Sequence, residues 1–546
     1  MNTGDTRIQA VFIVLLSLLL YVNTLPNGFV YDDWGLIAGN AWITSFKSIP
    51  EIFFSHHGGF IPGQEGNYYR PLINLIYLLT FKAFGLEPWG FHLVNIIFHA
   101  AAALFVFLIA RGLVNNSNVP FMAGLLFAAH PVHTEAVAWP SALSELSFSL
   151  FFLLSFYFYI KGREKGPVKY CAASLAAFFL SMLSKESALS IPLLLFAYDF
   201  SFNGSPFKRK NIFRYLPYLV VMGVYFLLRL NVIPSFIAGD SGFGPGDLLI
   251  NFFPLFKSYC AKLVFPLDLN LFYGAKPIEG LSSPAWTVSV FVFLAFILAG
   301  FFLFKRAGRA AFFSLFLFLI PLLPAFYIKG ISGGAVFAER YLYLPSFGFV
   351  LLVSIGIDRL KAMKNATAAG AVFLTLLCAY SALAFDRNRT WKDEFTIWAD
   401  TVEKSPDIAI PHMFLGDALL ERGETGDAIR HYARALELEP DSATAHNNLG
   451  YALTLKNFYD EAIAHFEAAL RIDPRSAEAL NNLGLAYKNK GDLDKAIESF
   501  RAALALRPDV AGLHENLANT YLLKGLPDLA QEEFRKAESL KSTLPD

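Results

Sequence analysis

The sequence predicts an all-α protein in which a polytopic membrane bundle of about eleven spans precedes a soluble α-solenoid. Of its 546 residues, 55% are hydrophobic and 16% are charged, and the mean hydropathy is +0.45. A soluble globular chain of this length is not expected to be so apolar, so membrane spans are predicted. Long apolar runs recur between residues 8 and 385, and the last quarter of the chain repeats every 34 residues.

Charge divides the chain in the same way. Residues 405–546 contain 15 Lys and Arg against 23 Asp and Glu, a net charge of −8, so the preceding residues carry +8. An acidic soluble part after a mildly basic membrane part does not indicate nucleic-acid binding. The three cysteines lie in apolar segments without disulfide or metal spacing, and we predict that they are small buried hydrophobes. We place the domain boundary between residues 1–390 and 391–546.

The first apolar run, residues 8–24, follows Arg7 and precedes no small-residue cleavage site. We therefore interpret it as an uncleaved span with its N-terminus in the cytosol rather than a signal peptide. An outer loop, residues 25–89, follows and carries the adjacent acids Asp32 and Asp33. Within it, residues 70–85 are apolar but shorter than the roughly 20 residues of a span. They predict an interfacial or re-entrant helix.

Ten further spans are predicted near residues 90–111, 119–130, 142–160, 168–184, 188–202, 215–231, 285–304, 309–328, 342–358 and 366–385. The loops that this count assigns to the cytosol, within 161–169, 208–214, 305–309 and 359–364, are all basic, as the positive-inside rule requires. Residues 247–266 are apolar but contain Lys257 and Lys262, and we predict that they lie flat on the outer surface. An odd number of spans places the C-terminus on the same side as the Asp pair.

The soluble part repeats several residue types with one period. A pattern of small residues and prolines at this period is typical of tetratricopeptide repeats, in which each repeat is a helix pair. Four repeats are predicted over 406–541, and their concave face would bind extended polypeptide or, alternatively, the array would be a rigid spacer. The repeated residues are Ala428, Ala462, Ala496 and Ala530; Gly416, Gly450 and Gly484; and Pro406, Pro440, Pro474 and Pro508.

The adjacent carboxylates Asp32 and Asp33 are the first candidate site. Such a pair can supply a general base and a charge partner, bind a divalent cation, or solvate a loop. Because charge close to lipid is costly, a functional role is favoured.

A second cluster, His130, His133 and Glu135, lies at the outer end of a predicted span. Imidazole and carboxylate ligands suit Zn²⁺ or Mn²⁺, although the spacing is not that of a standard zinc motif. A hydrogen-bond network or contacts to sugar hydroxyls are the alternatives.

Cations beside carboxylates form the remaining candidates. Guanidinium and ammonium groups can bind a phosphate there, or can extend to lipid headgroups. The topology places all of these groups on the face that holds the Asp pair. They are Arg70, Lys185 with Glu186, and Glu339 with Arg340 and Tyr341.

The order of these motifs resembles the transmembrane and tetratricopeptide repeat-containing (TMTC) proteins of the GT-C class of membrane glycosyltransferases. The specific strings are HPVHTEAVAW at residues 130–139 and ERYLYLPS at 339–346, with Arg-Pro-Leu at 70–72 and Ser-Lys-Glu at 184–186. The resemblance covers almost the whole chain. Short cytosolic loops and few repeats favour a bacterial inner-membrane version.

The resemblance implies an inverting transfer of one sugar from a polyprenyl-phosphate carrier to an acceptor hydroxyl, on the non-cytosolic side. Animal members are O-mannosyltransferases that use dolichyl-phosphate-mannose; an undecaprenyl-phosphate sugar is the expected bacterial donor. The repeats would present a polypeptide acceptor. The resemblance implies no particular cofactor, and a divalent metal ion is an alternative. Nucleic acid is not an expected partner, whereas membrane lipid is.

The residues can be assigned roles in that reaction. We expect Asp33, and after it Asp32, to be the general base. Arg340 and Lys185, and next Arg70, would bind the donor phosphate. The sugar or acceptor pocket would be lined by His130, His133, Glu135, Glu186, Glu339 and Tyr341.

Three other functions are alternatives. The same chemistry could act on a lipid or polysaccharide acceptor, although the repeats favour protein. A membrane-anchored scaffold would need only one or two spans, so eleven spans with polar clusters count against it. A transporter would show paired broken helices near the midplane, and the sequence has no such signature.

Overall fold

The computed structural model describes residues 3–60, 66, 68–114, 118–166, 168–204, 206–207, 209–233, 245–274, 283–326, 337–363 and 365–542. Residues 61–65 and 67 of the predicted outer loop, residues 167, 208 and 364 of predicted cytosolic loops, and the end of the predicted span 309–328 lie outside the described residues. The chain divides into two compact units, Met1–Ile397 and Trp398–Asp546.

Every regular element in the described residues is helical, which confirms the predicted all-α class. The α-helices that begin in the first unit are α1 (Thr3–Tyr21), α2 (Ile49–Phe54), α3 (Pro71–Phe84), α4 (Pro88–Leu113), α5 (Asn118–Ala129), α6 (Thr134–Ala138), α7 (Leu143–Lys165), α8 (Val168–Ser184), α9 (Ile191–Tyr198), α10 (Arg209–Val232), α11 (Pro245–Val264), α12 (Pro284–Phe302), α13 (Arg309–Leu322), α14 (Ser346–Ala362), α15 (Ala366–Arg387) and α16 (Glu394–Lys404). The unit boundary falls within α16.

Short 3₁₀ or π segments connect several of these helices. The ones that carry candidate site residues or their neighbours are Trp34–Ala38, Pro131–His133, Pro140–Ala142, Glu186–Ser190, Glu339–Leu342 and Asn388–Trp391.

In the described residues, seven helices are long and apolar enough to cross a membrane, judged by length and composition. They cover Asp5–Thr24, Pro88–Leu113, Pro140–Glu164, Asn211–Val232, Pro284–Arg306, Arg309–Phe326 and Ala366–Trp391, and each corresponds to a predicted span. The other four predicted spans fall on α5, α8, α9 and α14, which have only 12, 17, 8 and 17 residues. Helices this short do not reach the length of a span by themselves, so the count of eleven stays a prediction.

Burial distinguishes central from peripheral membrane helices. In an apolar stretch of 18 residues within Pro140–Glu164, which contains most of α7, 67% of the residues are buried. In the corresponding stretch within Pro284–Arg306, which covers most of α12, only 11% are buried. The short helix α5 is buried almost completely and packs against α1, α4 and α14. An apolar helix with no exposed face belongs in the protein core rather than against lipid. The neighbouring helices around α5 therefore bury the apolar side chains of this short helix.

Two further segments were predicted to lie at the interface. Helix α3 has 14 residues, too few for a span, and α11 has 20 residues but is not among the seven apolar helices. One face of α11 is buried against α12 and the end of α13 through Phe256 and Tyr259. The placement of both helices at the outer surface remains a prediction.

The second unit is a succession of antiparallel helix pairs, as the 34-residue period predicts. The pairs are α17 (Ala409–Glu421) with α18 (Thr425–Leu438), α19 (Ala443–Leu455) with α20 (Tyr459–Ile472), α21 (Ala477–Lys490) with α22 (Leu493–Leu506), and α23 (Ala511–Leu523) with α24 (Pro527–Ser542).

The repeated small residues lie where the paired helices touch. The four repeated alanines are fully buried. A Cβ atom built on Gly416, Gly450 or Gly484 would approach the aromatic ring of the partner helix to 2.5, 2.8 and 2.7 Å, respectively. These distances are well inside van der Waals contact, so only glycine allows the helices to pack this closely.

This packing predicts unequal effects for two glycine-to-alanine changes. We expect Gly484→Ala to lower the free energy of opening of α21 and α22 by about 1–3 kcal/mol, because the new methyl group overlaps the Phe500 ring. Gly426→Ala, where a Cβ meets nothing within 4 Å, should be neutral or stabilising by up to about 1 kcal/mol. Hydrogen exchange of peptides from the full-length protein measures both. Equal exchange in the two variants would contradict this packing account.

Candidate functional site

The chain from Val22 to Ala38, which follows α1 and which we call the acidic loop, contains a strained residue just before the Asp pair. Tyr31 has φ +52°, a left-handed conformation that costs a non-glycine residue free energy. Its amide donates to Glu394 Oε1 (2.7 Å), and its ring stacks on Trp139 at a centroid distance of 5.8 Å and an interplanar angle of 27°. Strain of this kind persists only where the surroundings enforce it. Here it sets the direction of the chain immediately before Asp32.

Asp33 is fully buried and both of its carboxylate oxygens are occupied. Oδ2 accepts from the Val30 amide (3.0 Å), and Oδ1 accepts from the Ser141 amide (2.8 Å) and hydroxyl (2.5 Å). Burial raises the pKa of Asp33 to about 7, although these hydrogen bonds lower it. Asp33 therefore fastens the acidic loop to the turn Pro140–Ala142 that precedes α7.

Asp32 is arranged differently. Its side chain is exposed, and in the part of the chain that the structure describes its carboxylate has no hydrogen-bond or ion-pair partner. Desolvation by the surrounding protein raises its pKa, and the charge of Arg340 opposes that rise. An accessible carboxylate near a fixed cation can accept a proton from a substrate. The sequence ranking placed Asp33 before Asp32 as the base; the geometry favours the reverse order, because the oxygens of Asp33 are already committed.

Arg340 is held by Glu135. Its backbone amide donates to Glu135 Oε2 (2.8 Å), and its guanidinium forms an ion pair with Oε1 of the same carboxylate. The guanidinium also lies over the rings of Trp139 (5.6 Å) and Tyr341 (5.3 Å). Desolvation lowers the pKa of Arg340, but the charge and hydrogen bond of Glu135, together with Tyr341 and the charge of Asp32, outweigh it and raise that pKa. Arg340 is therefore a permanent cation beside Asp32.

Two more cations lie close to Arg340. Lys185 forms an ion pair with Glu145 and lies over the Tyr341 ring (4.6 Å). Burial, reinforced by the charges of Arg70 and Arg340, lowers the pKa of Lys185 well below its ordinary value, whereas the ion pair with Glu145 favours the charged ammonium. The structure thus brings these basic residues from distant segments into one region. We call Arg70, Lys185 and Arg340 the cation cluster.

The third member of the cation cluster, Arg70, is also paired. Its guanidinium donates to Glu186 Oε2 through Nε (3.4 Å) and Nη2 (3.2 Å) and lies over Tyr68 (4.2 Å). Among the residues that the structure describes, buried Glu186 Oε1 has no hydrogen-bond partner. Each cation in the cluster therefore faces one carboxylate, and an arriving anion would compete with these acids for the cations.

The predicted metal candidates have separate partners. His130 Nε2 contacts the Leu263 carbonyl (3.1 Å), and His133 Nε2 contacts Ser346 Oγ (2.8 Å), while Glu135 pairs with Arg340. Among the described residues, no three His, Cys, Asp or Glu side chains are grouped as a metal site requires. In this conformation the trio is not a ligand set, and the two histidines join the turn 131–133 to its neighbours.

Glu339 also has a structural partner. It is buried and accepts from the Asn270 amide (2.6 Å) and the Tyr273 hydroxyl. Burial raises the pKa of Glu339 to about 7, which the charge of Arg387 opposes. Glu339 thus holds the segment that follows α11, whereas its neighbour Tyr341 lies between the Lys185 and Arg340 cations.

The sequence did not identify three residues that complete the site: Ser141, Glu145 and Glu394. Glu145 could have been found, because an acidic side chain inside an apolar span is a functional candidate by default. Ser141 and Glu394 carry no such signal. Each meets its partner only because distant segments pack together.

Family models match two parts of the chain. The model described as dolichyl-phosphate-mannose-protein mannosyltransferase matches residues 69–233, which include Arg70, the 130–139 motif and Lys185. The tetratricopeptide repeat model matches residues 415–477, 456–511 and 481–545.

Curated relatives match over longer stretches. A protein O-mannosyl-transferase of Caenorhabditis elegans is 29% identical over 443 residues, covering 78% of this chain and 61% of the relative. Homo sapiens TMTC2 and TMTC3, also named protein O-mannosyl-transferases, are 34% and 25% identical and are covered over 31% and 50% of their lengths. The chain thus spans less than two thirds of each of these relatives.

These similarities confirm the resemblance to TMTC proteins that the motifs predict. Together with the seven apolar helices, they indicate a multi-pass membrane protein that carries tetratricopeptide repeats.

Proposed function

We propose that this chain is a membrane glycosyltransferase that moves one sugar from a polyprenyl-phosphate carrier to a Ser or Thr hydroxyl of protein, outside the cytosol and with inversion. The observation that carries the proposal is the accessible carboxylate of Asp32, which follows Tyr31, in a chain similar to protein O-mannosyl-transferases. The Tyr31 ring stacks on Trp139, and the guanidinium of Arg340, a member of the cation cluster, lies over the same Trp139 ring. The donor sugar is a further part of the proposal, and mannose is the first candidate.

The cation cluster would bind the donor phosphate. A polyprenyl phosphodiester is anionic, and Arg340 offers a planar fork while Lys185 offers a point charge. Because Glu135, Glu145 and Glu186 already face these cations, the phosphate would enter a site that is neutralised when empty. This exchange of one anion for another avoids leaving three like charges unpaired near lipid.

Asp32 would take the proton of the acceptor hydroxyl. The acceptor oxygen then forms a bond to the anomeric carbon on the face opposite the phosphate, and the bond from that carbon to the phosphate oxygen breaks. The leaving polyprenyl phosphate keeps the electron pair and is stabilised by the fixed cations, so no general acid is needed.

The acceptor side of the proposal rests on the repeats. Tetratricopeptide arrays commonly bind extended peptide, and this array would recruit a polypeptide on the same side of the membrane as Asp32. That sidedness is supported by the basic loops predicted on the opposite side, typical of a bacterial inner-membrane protein with a cytosolic N-terminus.

Glycoproteomics of a host that lacks the gene tests the proposal. We expect glycopeptides of secreted and envelope proteins to disappear on deletion, to return with the intact gene and to stay absent with Asp32→Asn. An unchanged set of glycopeptides would overturn the protein acceptor and point to a lipid or polysaccharide. Recruitment of a partner protein without any sugar transfer would point to the scaffold.

The protonation of Asp32 predicts the pH dependence. Because desolvation by the surrounding protein raises the pKa of Asp32, the reactive carboxylate is lost at a higher pH than for an ordinary Asp, whose pKa is near 4. We expect kcat to fall as the pH decreases. The acid limb of the pH profile, over which kcat falls, should lie at a pH above the ordinary pKa of Asp. Arg340→Gln should move the limb to higher pH, because the Arg340 charge lowers the pKa of Asp32. Initial rates at saturating donor measure both profiles, and a limb that does not move in the variant would contradict this assignment.

A further inference from the structure

The segment between α15 and α16 is bonded to the start of the acidic loop. It follows the last apolar helix and is separated from the loop by more than 350 residues of sequence. Hydrogen bonds join the two: Asn27 Nδ2 donates to the Asn388 carbonyl (3.3 Å), Asn388 Nδ2 donates to Asn23 Oδ1 (2.8 Å), and the Gly28 amide donates to the Lys392 carbonyl (2.9 Å). The adjoining helix ends are bonded in the same way, Asn23 Nδ2 to the Phe385 carbonyl of α15 (2.8 Å) and Asn388 Nδ2 to the Leu20 carbonyl of α1 (2.9 Å).

The same segment reaches Tyr31, the strained residue before Asp32. Glu394 accepts the Tyr31 amide (2.7 Å), and Trp391 stacks on Trp139 (5.8 Å, 23°), whose other neighbour is the Tyr31 ring. A third ring, Phe272, meets Tyr31 edge-on at 6.1 Å. The left-handed backbone of Tyr31 is thus fixed at its amide by one carboxylate and at its ring by aromatic contacts.

We propose that Glu394 is a positioning residue for sugar transfer: by accepting the Tyr31 amide it holds the left-handed turn that directs Asp32 towards Arg340. This inference rests on the proposed function. It assigns to the last segment of the membrane unit a part in the reaction, although none of its side chains needs to touch the substrate.

The chemistry of the contact supports this role. An ionised acceptor makes a stronger hydrogen bond to an amide than a neutral one. Glu394 is also the first residue of α16, where the positive end of the helix dipole stabilises a carboxylate. Without the acceptor, Tyr31 would lose a partner for its amide while keeping an unfavourable backbone conformation. The loop would then populate other turns, and Asp32 would leave its position.

Three variants of the full-length protein test the inference. Glu394→Ala removes the acceptor, Glu394→Gln keeps an acceptor oxygen at the same reach, and Glu403→Ala removes an exposed carboxylate from the same helix. We expect Glu394→Ala to lower kcat by roughly ten- to a hundredfold, since a displacement of about 1 Å can have that effect. Glu394→Gln should retain most of the rate and Glu403→Ala all of it.

A merely structural role would affect other quantities. We therefore measure donor binding by the shift that polyprenyl phosphate causes in thermal unfolding, together with hydrogen exchange of a peptide that contains Tyr31. Positioning predicts unchanged donor affinity and faster exchange at Tyr31 in Glu394→Ala only. If Glu394→Ala does not fold, Glu394→Asp replaces it, because the shorter side chain cannot reach the amide without movement of the chain.

Several results would overturn the inference. Full kcat in Glu394→Ala would do so, as would equal losses in Glu394→Ala and Glu394→Gln, or a loss of donor affinity equal to the loss of kcat. If Glu394→Asp is used, a rate equal to that of Glu394→Gln would also overturn it. Failure of the proposed function is distinguishable, because the wild-type protein itself would then transfer no sugar.

Discussion

Asp32→Asn is expected to lower kcat for sugar transfer by roughly 10²–10⁴-fold, the usual contribution of a general base. The amide keeps the size of the side chain but cannot accept the proton of the acceptor hydroxyl. Donor affinity should change little, because the donor phosphate is bound by the cation cluster. Initial rates of the purified protein at saturating donor, with thermal unfolding as the folding check, measure the effect.

Asp33→Asn is the matched control, with the same chemical change one residue away. Its amide nitrogen would face one of the three donors that now point at the carboxylate. We expect a loss of stability of about 1–3 kcal/mol and a smaller fall in kcat. An active Asp32→Asn protein together with an inactive but folded Asp33→Asn protein would restore Asp33 as the base.

The second large effect is expected for donor binding by Arg340. Removal of its charge-assisted hydrogen bonds to phosphate should weaken donor binding by roughly ten- to a hundredfold. Arg340→Gln alone also leaves Glu135 buried without its cation, which destabilises the protein by about 3–5 kcal/mol. Binding of polyprenyl phosphate and thermal unfolding are measured together to separate these two effects.

The double variant Glu135→Gln with Arg340→Gln distinguishes the effect on donor binding from the effect on stability. It removes both charges, so stability should largely return while donor affinity stays low. Glu135→Gln alone should bind the donor at least as well as the wild type, because Arg340 then has no competing carboxylate. Wild-type donor affinity in the double variant would show that Arg340 does not bind the phosphate.

The sequence predicted those features that depend on local pattern. The 34-residue period correctly located the helix pairs, since Gly450 and Ala462 must recur wherever two helices touch. Apolar runs likewise located the seven long helices. The same runs did not reveal that α5 is buried inside the protein, because hydropathy alone cannot distinguish a lipid-facing helix from a core helix.

For the candidate site, the sequence indicated individual residues but not the contacts between them. Charged residues in the predicted outer loops of a largely apolar chain are conspicuous, so the sequence indicated Arg70, Lys185 and Arg340 as candidate phosphate-binding residues. Their partners depend on tertiary packing, which is why Glu145 and Glu394 were missed. The closeness of His130 and His133 in the sequence made them candidate metal ligands. The structure shows instead that the His130 ring contacts a backbone carbonyl and the His133 ring contacts a serine hydroxyl.

Sugar transfer by the purified full-length protein tests the central claim most directly. The donors are synthetic polyprenyl phosphates that carry single sugars, and the acceptors are envelope proteins from a host that lacks the gene. Mass spectrometry should find one added sugar on Ser or Thr with the wild-type protein, inverted relative to the donor, and none with Asp32→Asn. Equal transfer by Asp32→Asn, or no transfer to any protein from a donor that binds, would contradict the account.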